Sequence, residues 1–137
     1  MADRCRRIDY FYVEVPDQPG QGAQVLTKLK EAGVNLLSFT AFPTSGNKAQ
    51  VDLVPENPDA LIKVAKSAGL TLSPKKQALF VQGQDRIGAA AECFKKLADA
   101  KINVRAANAC SSERGFGLIL WVKPENFDAA AKALGAE

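Results

Sequence analysis

Two four-residue loops carry the chemistry that this sequence offers. Asp17, Gln18, Pro19 and Gly20 (DQPG) precede one helical pattern; Asp85, Arg86, Ile87 and Gly88 (DRIG) precede another. A helix N-terminus presents unpaired backbone N–H groups and partial positive charge, where a carboxylate or phosphate can rest. Gly20 and Gly88 allow a ligand to approach the backbone closely. Asp17 and Asp85 would either cap the helix amides or receive an ammonium group. Asn35-Leu36 and Asn103-Val104 follow the two helical patterns, and each asparagine brings amide donors and a carbonyl acceptor. Anion donors beside an acceptor for a cation is the pattern that a free amino acid requires. The plainer alternative is structural. Asp before a helix is commonly an N-cap, Gly in a turn serves the turn, and Asn after a helix often holds left-handed backbone. The residues by themselves leave both readings open.

The two loops belong to an internal repeat. Residues 17–41 lie over residues 85–109 without a gap, and 8 of the 25 positions are identical: Asp17/Asp85, Gly20/Gly88, Ala23/Ala91, Lys28/Lys96, Leu29/Leu97, Ala32/Ala100, Asn35/Asn103 and Ala41/Ala109. Chance gives roughly two at ordinary residue frequencies. A second block, Pro55-Glu56-Asn57 over Pro124-Glu125-Asn126, recurs one residue out of that register. A period of this length fixes the architecture before any single residue is interpreted.

Each copy reads as the same order of elements. Residues 10–15 (YFYVEV) form a strand pattern, residues 16–20 a turn, and residues 22–33 a helix with Val25, Leu26, Leu29 and Ala32 on one side. Residues 35–42 and 49–54 are strands joined by a hairpin turn (PTSGNK). Asn57-Pro58 is an N-cap with proline at the first helical position, and Gly69 ends that helix. Residues 70–72 begin a fourth strand. The order is β-α-β-β-α-β, an α+β, ferredoxin-like unit with an antiparallel sheet.

The second copy has strands at 78–83, 102–110 and 115–122. Its helices are at 88–100, with Ala90, Cys93, Phe94 and Leu97 inward, and at 127–134. It ends before a counterpart of the fourth strand, which leaves an edge to be covered by the N-terminal segment or by a second subunit. GFGLILWV at 115–122 is apolar on both faces, so both should be buried. Domains are expected at 8–76 and 77–137, packed against each other, because neither alone has a generous core.

Composition narrows the function classes. A net charge of +3 is too small to argue for nucleic acid or a membrane surface. The local excess at Arg4, Arg6 and Arg7 reads as a frayed, solvated terminus. The chain has no histidine, which removes Ser-His and Cys-His nucleophiles and the common zinc sites. Three cysteines without CxxC spacing read as reduced packing residues. No apolar run would span a bilayer and no signal peptide is visible, so a cytoplasmic location is expected. No metal, no cofactor and no catalytic residue is expected.

DQPG at 17–20 with EAGVNLL at 31–37, on this strand and helix order, resembles the ACT domain family. DRIG at 85–88 with DAKINV at 99–104 is a looser match: Ile87 replaces the proline and Lys101 the helix-ending glycine. The resemblance covers about residues 9 to 134. It implies a regulatory module that binds an amino acid or other small ligand between paired domains. The contacts would fall on Asp17, Gln18, Pro19, Gly20, Asn35 and Leu36, and on Asp85, Arg86, Ile87, Gly88, Asn103 and Val104. It also implies a homodimer or higher homo-oligomer, and a separate metabolic enzyme as the regulated partner, with no nucleic acid and no membrane. A module that assembles through its sheets and binds nothing small is the alternative. RNA binding on the strand aromatics lacks the basic and aromatic consensus of that fold. Acylphosphatases share the strand order, but their phosphate loop is not visible.

Overall fold

The computed structural model describes residues 3–137. Six strands and four helices follow in order: β1 (Arg4–Pro16), α1 (Gln21–Glu31), β2 (Leu36–Pro43), β3 (Lys48–Pro55), α2 (Pro58–Ala68), β4 (Lys76–Gly83), α3 (Ala89–Asp99), β5 (Ala106–Ser112), β6 (Gly115–Trp121) and α4 (Phe127–Ala133). A single 3₁₀ turn, Pro124–Asn126, leads into α4. The architecture is the expected α+β, ferredoxin-like one with antiparallel strand pairs.

The chain divides into two compact units, one of Asp9–Lys76 and one in which residues 3–8 join Gln77–Glu137. In the first, the strands run β2-β3-β1, with Val13 opposite Val51 and Ala41 opposite Val51. Its core is Phe11, Val13, Val25, Leu29, Val51, Leu53 and Leu61, with Val34 at the edge. In the second, the order is β1-β4-β6-β5, the strand beside β4 being the N-terminal part of β1. Its core gathers Leu79, Val81, Cys93, Leu97, Leu118, Leu120, Phe127, Ala130 and Ala131 around Cys5. Phe11, Val13, Val25 and Leu29 correspond, 68 residues on, to Leu79, Val81, Cys93 and Leu97. Ile119, on the opposite face of β6 from Leu118 and Leu120, is 3% exposed, so both faces of that strand are covered at its centre.

Four expectations are corrected. The N-terminal arginines are not frayed: β1 begins at Arg4, with Cys5 and Ile8 buried. Arg4 pairs with Glu137 at 3.2 Å, Arg7 with Asp128 at 2.8 Å, and Arg6 donates to Gln82 at 3.1 Å. Residues 70–72 form no strand. Pro74 lacks an N–H, and the Ser73 hydroxyl replaces a ladder acceptor by taking the Tyr12 N–H at 2.9 Å. Phe94 is exposed rather than inward, because the buried face of α3 follows Ala89, Cys93 and Leu97 at intervals of four. Ala32 also faces solvent, as the C-cap beyond the last turn of α1.

Candidate functional site

The two loops fold alike down to single hydrogen bonds. Gly20 and Gly88 are the N-caps of α1 and α3, left-handed at φ 88° and φ 84°. Gln21 N–H donates to Gln18 O and Ala89 N–H to Arg86 O, both at 3.3 Å. The first helical bonds, Gln24 N–H to Gly20 O and Glu92 N–H to Gly88 O, are 3.0 and 3.1 Å. A left-handed glycine is what lets the chain turn from strand to helix within four residues.

Neither aspartate caps its helix: no side-chain cap bond exists at Gly20 or Gly88. Of the two readings open for Asp17 and Asp85, capping of the helix amides is not the one adopted, because the glycine takes the cap position with no side chain to offer. The N–H groups of Gly22 and Ala23, and of Ala90 and Ala91, have no acceptor among the described residues. Two donors stay available at each helix start, beside an exposed carboxylate on Asp17 or Asp85. Gln18, Pro19 and Gly20 are exposed too, as are Arg86, Ile87 and Gly88.

The asparagines lie elsewhere. Asn35 follows the C-terminal end of α1, an 11-residue helix about 16 Å long at 1.5 Å per residue. One unit therefore does not bring its Asp17 loop and its Asn35 together. Asn35 Nδ2 donates to Glu56 Oε2 at 2.7 Å, and its carbonyl accepts the Glu56 N–H at 2.9 Å. Leu36 opens β2 and packs on the first core. Asn103 is exposed and Val104 packs on the second core. β5 begins at Ala106 rather than at residue 102, so Asn103 stands outside the strand that it was expected to open.

The loops differ in their surroundings. Asp17 donates its N–H to Asn47 O at 2.8 Å, which ties the first loop to the β2–β3 turn. The β5–β6 hairpin turns tightly at Glu113-Arg114, where Ser112 pairs with Gly115. Between that hairpin and the loop at Asp85 lies an open cleft of about 800 Å³, lined by residues that include Gln82, Gln84, Asp85, Arg114 and Phe116. Ile87 is fully exposed.

Both terminal nitrogens of Arg86 are engaged. Its Nη1 and Nη2 donate to the two Asp3 carboxylate oxygens at 3.0 and 2.9 Å, Nη2 to Glu92 Oε2 at 2.6 Å, and Nη1 to Gln84 O at 3.1 Å. The guanidinium also stands 5.8 Å from the Phe116 ring centroid. The hydrogen bond from Arg86 holds the Asp3 carboxyl below its usual range, against an opposing desolvation. The bonds to Asp3 and Glu92 push the Arg86 pKa further up. Sequence reasoning did not find Asp3, Gly83, Glu92 or Phe116 here, since Asp3 and Arg86 are 83 residues apart with no local pattern joining them. No group of His, Cys, Asp or Glu among the described residues could hold a metal ion. No helix among them is long and apolar enough to cross a membrane.

No family model matches the sequence, and no curated protein matches it. Solved structures do. Protein BT0572 from Bacteroides thetaiotaomicron aligns with a TM-score of 0.83 at 12% identity, over 96% of this chain and 88% of that one. The regulatory subunit of aspartate kinase from Thermus thermophilus, in its ligand-free form, aligns at 0.63 and 19%, over 98% and 93%. Aspartokinase III of E. coli, in complex with lysine and aspartate, aligns at 0.54 and 17%, over 98% of this chain and 32% of the enzyme. At these identities the likeness is one of fold: the chain has the α+β fold of aspartate kinase regulatory domains.

Proposed function

We propose that the chain is a tandem ACT-domain regulatory protein that binds a small molecule, an amino acid, rather than an enzyme. The observation that carries this reading is the pair of glycine-capped helix starts. Each keeps two N–H donors unused next to an aspartate that does no capping. A carboxylate suits the donors and an ammonium group suits the aspartate. The E. coli aspartokinase III structure of the same fold was determined with lysine and aspartate bound, which supports the ligand class.

Because the loop and the asparagine of one unit lie at opposite ends of a helix, a ligand touching both requires a second unit, from the same chain or from a second copy of it. The edge strands favour such assembly. β5 is exposed along its whole length, and β2 displays Phe39 and Phe42 at 49% and 40% exposure. Homodimerisation, a cytoplasmic location and a separate metabolic enzyme as the regulated partner complete the reading.

The test is a thermal-shift screen of the twenty amino acids on protein refolded free of ligand, with Asp17→Ala and Asp85→Ala alongside. A selective shift lost in one variant is expected. At 100 times the dissociation constant the ligand should add about 2.7 kcal/mol. A flat screen at millimolar concentrations, with folded variants behaving like the parent, would favour the module that binds partners alone.

A further inference from the structure

We propose that Gly83, Arg86 and Phe116 form a carboxylate-binding cradle which the chain fills with its own Asp3, so that a free carboxylate reaches the Arg86 fork only when residue 3 leaves it. The proposal rests on reading residues 85–88 as a ligand loop and adds to that reading a built-in competitor.

The cradle has the features of a built site. Arg86 meets the Asp3 carboxylate with two parallel N–H···O bonds, at 3.0 and 2.9 Å. This fork geometry is specific for planar anions. Glu92 and the Gln84 carbonyl hold the guanidinium in place, and the Phe116 ring stacks near it. Those contacts orient the fork whether or not Asp3 is present. Gly83 supplies the opening: a Cβ built there would clash with the Asp3 carboxylate. The Asp3 side chain is only 18% exposed, so the carboxylate is seated and not merely near. The cleft of about 800 Å³ shares Gly83 and Phe116 with the cradle and has Asp85 on its wall. It has room for the remainder of a ligand whose carboxylate replaces that of Asp3.

Asp3 can leave without undoing the strand that carries it. Cys5 is buried in the core, and its carbonyl accepts the Glu137 N–H at 3.1 Å. Arg4 and Arg7 are tied to Glu137 and Asp128. A tethered carboxylate acts at an effective concentration on the order of millimolar, so it outcompetes weak anions and yields to a ligand with further contacts. The first loop has no counterpart of the fork: Gln18 stands at the position that Arg86 holds 68 residues on. The two loops are therefore unequal by construction.

The test reads Arg86 directly. The Nε–Hε cross-peak of Arg86 is followed by NMR during titration with sodium acetate, against sodium chloride at matched ionic strength, in the parent, Asp3→Ala and Asp3→Ala/Arg86→Gln. Acetate should give a saturable shift in Asp3→Ala at least tenfold tighter than in the parent. Chloride should give none, and the double variant should show no acetate site among its neighbouring amides. If Asp3→Ala disturbs the amide spectrum of the unit, Asp3→Asn, which keeps the volume and loses the charge, is read in its place. Equal responses in parent and variant, no saturable response, or loss of the fold in both Asp3 variants would overturn the proposal. Acetate bound at Arg86 stands even where no amino acid shifts the melting temperature. An amino-acid shift abolished by Asp17→Ala stands even where acetate fails, so the two failures are separable.

Discussion

Gly33 and Lys101 hold the same position in the two copies, and both are left-handed, at φ 75° and φ 60°. Each donates its N–H to a carbonyl three residues back, Lys30 and Ala98, at 3.1 and 2.9 Å. Each is followed by a residue that closes the helix end, Val34 on Leu29 O and Ile102 on Leu97 O, both at 2.9 Å. The backbone thus demands a left-handed residue even where the sequence supplies lysine, whose Cβ makes that region costly. Lys101→Gly should stabilise the protein by about 0.5–1 kcal/mol, since the relieved strain exceeds the extra entropy of an unfolded glycine. Gly33→Ala should destabilise by about 1 kcal/mol. Urea unfolding of both variants checks this, and a Lys101→Gly midpoint below that of the parent would contradict it.

The Pro-Glu-Asn block repeats in sequence but not in use. Asn57 Oδ1 accepts the Ala60 N–H at 3.2 Å as the N-cap of α2. Asn126 makes no cap bond, because the 3₁₀ turn before α4 holds its backbone at φ −100°, ψ −3°. Asn57→Ala should therefore cost about 1 kcal/mol. Asn126→Ala should stay within about 0.5 kcal/mol of the parent. Equal losses in denaturant melts would show that the two asparagines do the same work.

Asp17 and Asp85 supply no side-chain cap to α1 or α3. Alanine at either position should leave stability within about 0.5 kcal/mol of the parent in the absence of ligand. This separates a binding role from a folding one. A ligand-induced shift that disappears in Asp17→Ala, at unchanged basal melting temperature, assigns the aspartate to the ligand. A loss near 1 kcal/mol without ligand would return it to the helix.

Helical faces were legible because they depend on local period. Val25 and Leu29, and Cys93 and Leu97, are buried where the pattern places them. The glycine turns were legible for the same reason. The role of the N-terminal segment was not. Its partners Gln82, Arg86, Asp128 and Glu137 are 76 to 133 residues away, and three arginines within four residues look solvated until those partners are in place. For the candidate site, the loops could be read from their residues. That Arg86 is taken by Asp3, and that Asn35 lies a helix length from Asp17, required the topology.

The three cysteines should separate by reactivity. Cys110 is exposed on β5, whereas Cys5 and Cys93 are buried in the second core. Burial, with Cys93 nearby, pushes the Cys5 thiol up to about 11, and burial raises Cys93 as well. The thiolate is the nucleophile, so both should be inert at neutral pH. A thiol-reactive dye should label one cysteine quickly in native protein and the other two only in denaturant. Rapid labelling of Cys5 would show that residues 3–8 leave the second unit readily, as reversible release of Asp3 alone does not require.

Asp52 is the one buried acidic residue among those described, at 7% exposure on β3, opposite Tyr12 on β1 and Thr40 on β2. Gln50 Nε2 donates to its Oδ1 at 2.8 Å. Desolvation raises its pKa, and the Gln50 bond and the Lys76 charge offset that only in part. Lys76 itself lies 5.6 Å from the Tyr12 ring centroid. The sign follows from linkage. Below the ordinary Asp value of about 3.9 both folded and unfolded states are protonated, and burial opposes no charge. As pH rises, the unfolded chain releases its proton first while the folded carboxyl retains it, so this residue's contribution to stability falls until its folded value is passed. Asp52→Asn keeps an acceptor for Gln50 and removes the charge. Its stability relative to the parent should therefore be near zero below about pH 4 and should grow towards neutral pH. Paired urea titrations from pH 3 to 8 measure the difference. Parallel curves, or an Asp52 carboxyl titrating at or below the ordinary value in a carbon-13 experiment, would show that the Lys76 and Gln50 contacts outweigh the cost of burial.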